Sequence, residues 1–250
     1  MIRILVTNDD GVHSPGLRAL AERLSAIGEV TVVAPDREVS GISHALTVSE
    51  PLRYEKLEEG VFAVAGTPAD CVNLAVGNLL KVPPQLVVSG INRGANVADD
   101  VTYSGTVAGA MEGAMLGITS FAVSLASKQS EDFRTAAEFA VQLAQIVAER
   151  TLPHRTFLNV NVPLGKVEGV RITCQGSRTN AERRDAGGRL YSWFKQGLGG
   201  AERNGISDIA AVRENLISVT PLHVDFTNYH ALDELASWGL NWNGGPPRRR

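Results

Sequence analysis

The first 150 residues alternate short, uninterrupted apolar runs with segments whose apolar residues recur at helical spacing, and nothing else in the chain limits the fold as much. The runs are Ile4-Leu5-Val6, inside a strand from Arg3 to Thr7, then Val30 to Ala34, Leu86-Val87-Val88 and Phe121 to Leu125. Between them, Leu17, Leu20, Ala21 and Leu24 recur at i, i+3, i+4 and i+7, and Phe133, Ala137, Ala140, Ala144 and Val147 mark a long amphipathic helix. Strands without polar alternation are buried on both faces, as in a parallel sheet covered by helices. The expected fold is α/β: a doubly wound, mostly parallel, Rossmann-like sheet.

Local signals place the helix starts. Ser14 reads as an N-cap with Pro15 in the first turn, and Gly28 as the stop. Thr67-Pro68-Ala69-Asp70 opens a helix whose apolar stripe is Val72, Ala75, Val76 and Leu79. Ser104-Gly105-Thr106 opens a Gly- and Ala-rich helix to about Leu116. Leu46-Thr47-Val48 and Val61-Phe62-Ala63-Val64 read as antiparallel excursions.

After about residue 150 the pattern changes. Phe157 to Val162, Val170 to Thr173 and Leu216 to Thr220 read as strands, and Ala231 to Trp238 as a short helix. Residues 176–205 are polar and Gly-rich, with Tyr191, Trp193 and Phe194 grouped, and are expected to form a protruding hairpin or loop. Residues 1–150 are therefore expected to form a metal- and phosphate-binding core. Residues 151–240 add a β-rich C-terminal excursion of the same domain, and 241–250 a disordered tail.

The chemistry concentrates where strands end. Asn8-Asp9-Asp10-Gly11 follows the first apolar run, and adjacent carboxylates at the carboxyl end of a parallel strand lie where open α/β sheets bind ligands. A solvated Asp-Gly turn is the plainer reading of these four residues alone. Two further polar loops, 36–41 and 89–96, end neighbouring strands and converge on the same edge. Asp9, Asp10, Ser40 or Ser43, Asn92 and Asn96 can then meet as an all-oxygen set suited to Mg²⁺, Mn²⁺ or Ca²⁺ and unlike the usual zinc site. Ser104-Gly105-Thr106 adds free backbone N–H groups at a helix start, a place that favours phosphate, although Ser104 also serves as a simple cap. A cation loop beside an anion cradle suits in-line phosphoryl transfer.

Several classes are excluded or disfavoured. There is no GxxxxGK[ST], no GxGxxG in the first turn and no GxSxG elbow. A net charge of −3 argues against nucleic-acid polymers held through phosphates. No apolar run reaches 18 residues, so no membrane span is expected. The chain runs straight into a strand and carries two cysteines, Cys71 and Cys174, so no signal peptide and a reducing, cytoplasmic setting are expected. His13 and His44 lie in the site loops as acid–base candidates, with hydrogen-bonding roles the plainer alternative.

Five long motifs occur in order: Ile4-Leu5-Val6-Thr7-Asn8-Asp9-Asp10-Gly11, Val33-Ala34-Pro35-Asp36-Arg37, Gly66-Thr67-Pro68-Ala69-Asp70-Cys71-Val72, Val88-Ser89-Gly90-Ile91-Asn92-Arg93-Gly94-Ala95-Asn96 and Tyr103-Ser104-Gly105-Thr106-Val107. Asn159-Val160-Asn161-Val162-Pro163 and Val219-Thr220-Pro221-Leu222 follow. Through these the chain resembles the SurE, or stationary-phase survival protein, family of 5′/3′-nucleotidases, from residue 1 to about 230. The resemblance implies a divalent-metal-dependent phosphomonoesterase acting on nucleoside monophosphates, with one Mg²⁺ or Mn²⁺ per subunit. It places metal ligands on Asp9, Asp10, Ser40 and Asn92, choosing Ser40 over Ser43. It places phosphate-binding residues on Asn96, Ser104, Gly105 and Thr106, and catalytic roles on Asp9 and Asn96. It implies a homodimer or homotetramer with late segments exchanged between subunits. Base preference and 5′ against 3′ phosphate stay open, as does Asp9 as base, nucleophile or ligand alone. A metal-gated nucleotide-binding stress module without turnover is the alternative. An intact set of Asp9, Asp10 and Asn92 favours the enzyme.

Overall fold

The computed structural model describes residues 1–178, 200–201 and 206–240. In chain order, β1 (Ile2–Thr7), α1 (Pro15–Leu24) and β2 (Gly28–Pro35) come first. The antiparallel pair β3 (Tyr54–Glu58) and β4 (Val61–Val64) leads into α2 (Pro68–Leu74), which continues as a π-helical turn to Leu79. Then come β5 (Leu86–Arg93), a 3₁₀ turn (Ala98–Tyr103), α3 (Gly105–Met115), β6 (Thr119–Leu125) and α4 (Arg134–Glu149). Last are β7 (Thr156–Val162), β8 (Gly169–Ile172), a two-residue pair β9 (Ser177–Arg178) and β10 (Gly200–Ala201), α5 (Asp208–Arg213), β11 (Leu216–His223) and α6 (Leu232–Ser237).

Nine of these strands form one sheet, ordered β3-β4-β2-β1-β5-β6-β7-β11-β8. Its pairs are parallel except β3–β4 and β7–β11. The period of two in β1 shows on its faces. Ile4 and Val6 meet Leu17 and Leu20 of α1 and Ala137 and Ala140 of α4, whereas Leu5 meets Cys71 and Val72 of α2 on the other face. Each such large side chain, buried on both sides, contributes about 1.5–3 kcal/mol. After β1 the chain turns to β2 on one side, and it later returns to β5 on the other. The crevice outside the carboxyl ends of β1 and β5 is thus the switch point of the sheet.

The helix starts agree with their sequence signals. Ser14 caps α1 by accepting the Leu17 N–H, with Pro15 at its start. Thr67 and Asp70 make a full capping box on α2. Other expectations need correcting. Gly28 does not stop α1. The helix ends at Leu24, where the Ser25 hydroxyl caps the Glu22 carbonyl, and Gly28 already opens β2. Leu46-Thr47-Val48 is not a strand: its polar groups bond to the head of α2 instead of a neighbouring strand. Val61–Val64 is antiparallel to β3, but it also pairs in parallel with β2 and so joins the main sheet. Residues 89–93 continue β5, so Asn92 stands on a strand end and not in a loop. α5 has no counterpart among the expected elements, since six residues are too few to show a helical period. Among the described residues no helix is long and apolar enough to cross a membrane. The aromatic group at Tyr191, Trp193 and Phe194 and the tail 241–250 lie outside the described residues.

Candidate metal and phosphate site

A cavity of about 430 Å³ opens at the switch point, and Asp9, Asp10, Ser40, Asn92, Asn96 and Ser104 all line it. Residues up to 95 positions apart in the chain are thus gathered by three strand ends and one helix start. Gly105 and Thr106 are buried and stand behind its wall. Ser43 does not line it either. Its hydroxyl donates to the Thr102 carbonyl at 2.7 Å, and its N–H to the Tyr103 carbonyl.

Each side chain has a local reason for its place. Asn8 shapes the acidic turn, its amide donating to the Gly11 carbonyl at 3.1 Å and the Ser14 hydroxyl at 2.7 Å. Asp9 is buried against the head of α3. It accepts the Thr106 hydroxyl at 2.5 Å and is also bonded by the Thr106 N–H. A Cβ on Gly105 would fall 2.7 Å from the Asp9 Cβ, so only glycine allows this approach. The 36–41 loop is laid across the same strand end by the Val39 N–H on the Asp9 carbonyl. Within it Ser40 donates to Glu38 at 2.8 Å. Asn92 donates its amide N–H to the Gly94 carbonyl at 2.8 Å, leaving its carbonyl oxygen as the donor atom for a cation.

The electrostatics are those of a site short of positive charge. Burial holds the Asp9 carboxyl above its ordinary range, against the Thr106 bonds that pull it down. Burial first, then Asp9 and Glu38, push Asp10 up to about 6, partly offset by the Arg93 N–H and guanidinium. Two crowded carboxylates with amide and hydroxyl oxygens around them fit a hard divalent cation by donor chemistry. Among the described residues no group of three or more His, Cys, Asp or Glu is arranged to hold a metal, so a cation here would rely on the neutral oxygens of Ser40 and Asn92.

Sequence reasoning missed the residues that brace the site. Asn159 and Asn161 on β7 both donate to the Asn96 carbonyl, at 2.8 and 3.0 Å, and Asn161 also accepts the Asn96 N–H at 2.8 Å. Asn96 in turn donates its amide to Ser124 at 2.9 Å. The buried Asp208 carboxylate accepts the Ala98 N–H at 2.8 Å and so anchors the turn that leads to Ser104. The available signal was two asparagines at i and i+2 in the apolar run of β7, one face of a buried strand. His13 lines an adjoining cavity of about 320 Å³ that shares Asp10, Glu38 and Arg93 with the first. His44 does not line the site cavity and sits 2.6 Å from the Glu112 carboxylate, an ion pair when the imidazole is protonated.

The Thr67-Pro68-Ala69-Asp70 motif serves the site from a distance. Asp70 accepts the Thr67 N–H, the Thr47 N–H and the Thr47 hydroxyl, and the Thr67 hydroxyl donates to the Ala45 carbonyl. These bonds tie down the chain that carries Ser40. Asp70→Ala is expected to cost about 2–3 kcal/mol, a drop of roughly 5–10 °C in Tm, and to weaken Mn²⁺ binding several-fold. Thermal unfolding and an Mn²⁺ titration check this. A variant that melts with the wild type would show that the loop is held elsewhere.

A doubly wound α/β sheet whose switch point carries an acidic, oxygen-lined cavity beside a helix start defines the class. The family model for "Survival protein SurE" matches residues 4–182. The "5'-nucleotidase SurE" of Syntrophotalea carbinolica is 51% identical over 246 residues, covering 96% of this chain and 98% of that protein. That of Geobacter sulfurreducens is 51% identical over 253 residues, covering 96% and 95%. The crystal structure of the SurE protein from Aquifex aeolicus superposes with a TM-score of 0.86 at 41% identity, covering 95% of this chain and 99% of that one. The chain belongs to the SurE family.

Proposed function

We propose that this chain is a divalent-metal-dependent phosphomonoesterase that hydrolyses nucleoside monophosphates to nucleoside and phosphate. The family's relatives named as 5′-nucleotidases supply the substrate class. The observation that carries the reading is the seating of Asp9 on the head of α3, in one cavity with Asp10, Ser40 and Asn92. These four residues are assigned to one Mg²⁺ or Mn²⁺ per subunit. When bound, such a cation polarises a phosphoryl oxygen and offsets charge in the transition state.

The rest is done by the chain itself. Asn96 and Ser104 form the phosphoryl end of the cavity, backed by Gly105 and Thr106 at the start of α3. Asn96 keeps a second amide N–H beyond the one given to Ser124, and Ser104 keeps its hydroxyl proton while accepting the Val107 N–H. The head of α3 adds its dipole. Thr106 acts through Asp9, fixing the carboxylate's orientation with its hydroxyl. Asp9 and Asn96 are thus the two catalytic side chains, one beside the cation and one on the phosphoryl oxygens. A panel of nucleoside monophosphates assayed with Mn²⁺, with Mg²⁺ and with EDTA tests this. Hydrolysis that survives EDTA, or none with either metal, rejects it.

The chain is further assigned to the cytoplasm, in keeping with two free cysteines, and to a homodimer or homotetramer. α6 and its flanks support the assembly: Phe226, Tyr229, Leu232, Leu235, Trp238 and Leu240 are all exposed, and α6 has no buried residue. Phe226→Glu with Trp238→Glu is expected to yield a smaller species by light scattering while Mn²⁺ still binds. An unchanged subunit number would place the interface elsewhere.

A further inference from the structure

A buried carboxylate stands on the helix whose head seats Asp9, and no step of the proposed chemistry uses it. Glu112 lies on α3, six positions beyond Thr106 and thus about 9 Å further along the axis. A glutamate is almost never shut away from water unless it is paired. Both of its oxygens are met here. Oε1 accepts the Asn73 amide of α2 at 2.7 Å, and Oε2 lies 2.6 Å from His44 Nε2. Among the described residues the imidazole is the only ion-pair partner of Glu112. Nε2 is itself closed off from water and makes no hydrogen bond elsewhere.

His44 belongs to the loop that carries Ser40. It stands four positions after it, on a tether of no more than about 14 Å. The Val39 N–H on the Asp9 carbonyl lays the loop down, and the chain then reverses at Ser43, with φ +58°. That left-handed conformation is uncommon for a residue other than glycine. The Ser43 hydroxyl holds it through the Thr102 carbonyl at an exposed position, open to competing water. The next side chain, His44, turns inward and is only 25% exposed. Beyond it, Ala45 and Thr47 bond to Thr67 and Asp70 at the head of α2, the helix that also sends Asn73 to Glu112. The Ser40 loop, α2 and α3 thus join at one buried carboxylate.

We propose that His44 and Glu112 are positioning residues, a latch that ties the loop of the cation ligand Ser40 to the helix that seats the cation ligand Asp9. The two ligands come from the ends of different strands, β2 and β1. The latch refers both to α3: Asp9 through Thr106 at its head, Ser40 through His44 further along. Without it the Ser40 loop has to be ordered as the cation binds, and affinity falls by that ordering. Neither His44 nor Glu112 lines the cavity, so the chemistry of a filled site is unaffected. The inference rests on the phosphomonoesterase reading and its assignment of Ser40.

The test uses the full chain with His44→Ala, Glu112→Ala and the double variant, with Mn²⁺ titrated into the substrate-free protein. Each single variant is expected to bind Mn²⁺ about tenfold more weakly, the lower end of what losing the support of a metal ligand costs. The double variant is expected to lose no more than the weaker single one, because the same contact is removed in each. Hydrolysis of a nucleoside monophosphate is expected to fall at limiting Mn²⁺ and to return to near wild type at saturating Mn²⁺. Inhibition by inorganic phosphate is then expected to match wild type. A pair that merely stabilised the fold would not give a deficit that Mn²⁺ repairs. Unchanged Mn²⁺ affinity in His44→Ala overturns the proposal, as do additive losses in the double variant or a deficit that saturating Mn²⁺ leaves in place. If His44→Ala fails to fold because it leaves the Glu112 charge buried and unpaired, Glu112→Ala leaves no such charge and decides by the same titration. A wild-type protein that binds Mn²⁺ yet hydrolyses no nucleotide overturns the underlying function instead, and the titrations still decide the latch.

Discussion

Asp9→Asn is expected to abolish nucleotide hydrolysis while leaving the protein folded. The fold keeps its shape because the substitution is nearly isosteric and the amide carbonyl still accepts the Thr106 hydroxyl. What disappears is the negative charge at the head of α3, which the Thr106 bonds favour and burial opposes. Loss of partners that merely orient a metal ligand costs about 10–100-fold in affinity or activity. Loss of the ligand carboxylate itself is therefore expected to exceed a hundredfold. Phosphate release and circular dichroism, measured together at saturating Mn²⁺, decide the matter. Turnover near wild type would remove Asp9 from the site.

Asp10→Asn is expected to raise stability: the metal-free protein should melt higher than wild type at pH 7. Asp10 in the folded chain holds its proton up to about pH 6, against 3.8 for an ordinary aspartate. Below about pH 4 both states are protonated and the group has no effect. Between about 4 and 6 the folded state binds the proton that the unfolded state releases, so stability falls as pH rises. By pH 7 the ionised carboxylate costs the metal-free fold about 1–2 kcal/mol, the full shift discounted for partial exposure. Asparagine removes that cost, raising the metal-free Tm at pH 7 by several degrees. It should also remove the loss of stability that this carboxylate causes between pH 5 and pH 7, together with most of the Mn²⁺-induced rise in Tm. Melting curves at both pH values with EDTA and with Mn²⁺ check this. A metal-free Asp10→Asn protein that melts below wild type at pH 7 would show that this carboxylate is already compensated within the fold.

Both variants expose the same trade. The acidic turn is a poor local choice for stability, tolerated because a cation, and not the core, is its partner. The braces around it compensate by hydrogen bonding. Asn8 holds the turn, Asp70 the Ser40 loop, Asn159 and Asn161 the Asn96 backbone, and Asp208 the turn before α3. Each brace is buried or close to it, so the site loops behave as extensions of the sheet edge.

The amino-acid sequence by itself determined the α/β class, the central strands, the capped starts of α1, α2 and α3, and the polar loops where chemistry resides. These are local properties. Period, caps and uninterrupted apolar runs are written within a dozen residues, and Ser14, Thr67 and Ser104 each cap the helix that follows them. The tertiary structure alone decided what depends on partners far away in the chain. Asn92 is a strand residue because β5 runs on beside β6, and Leu46 to Val48 is not a strand because Asp70, more than twenty residues on, takes its polar groups. Ser40 faces the cavity while Ser43 bonds to Thr102. Thr106 serves Asp9 directly, and His44 reaches Glu112 on α3. None of these pairings leaves a trace in local composition, because a hydrogen bond or a close approach across 50 or 100 residues is set by the closure of the sheet, which brings together side chains that no periodicity connects.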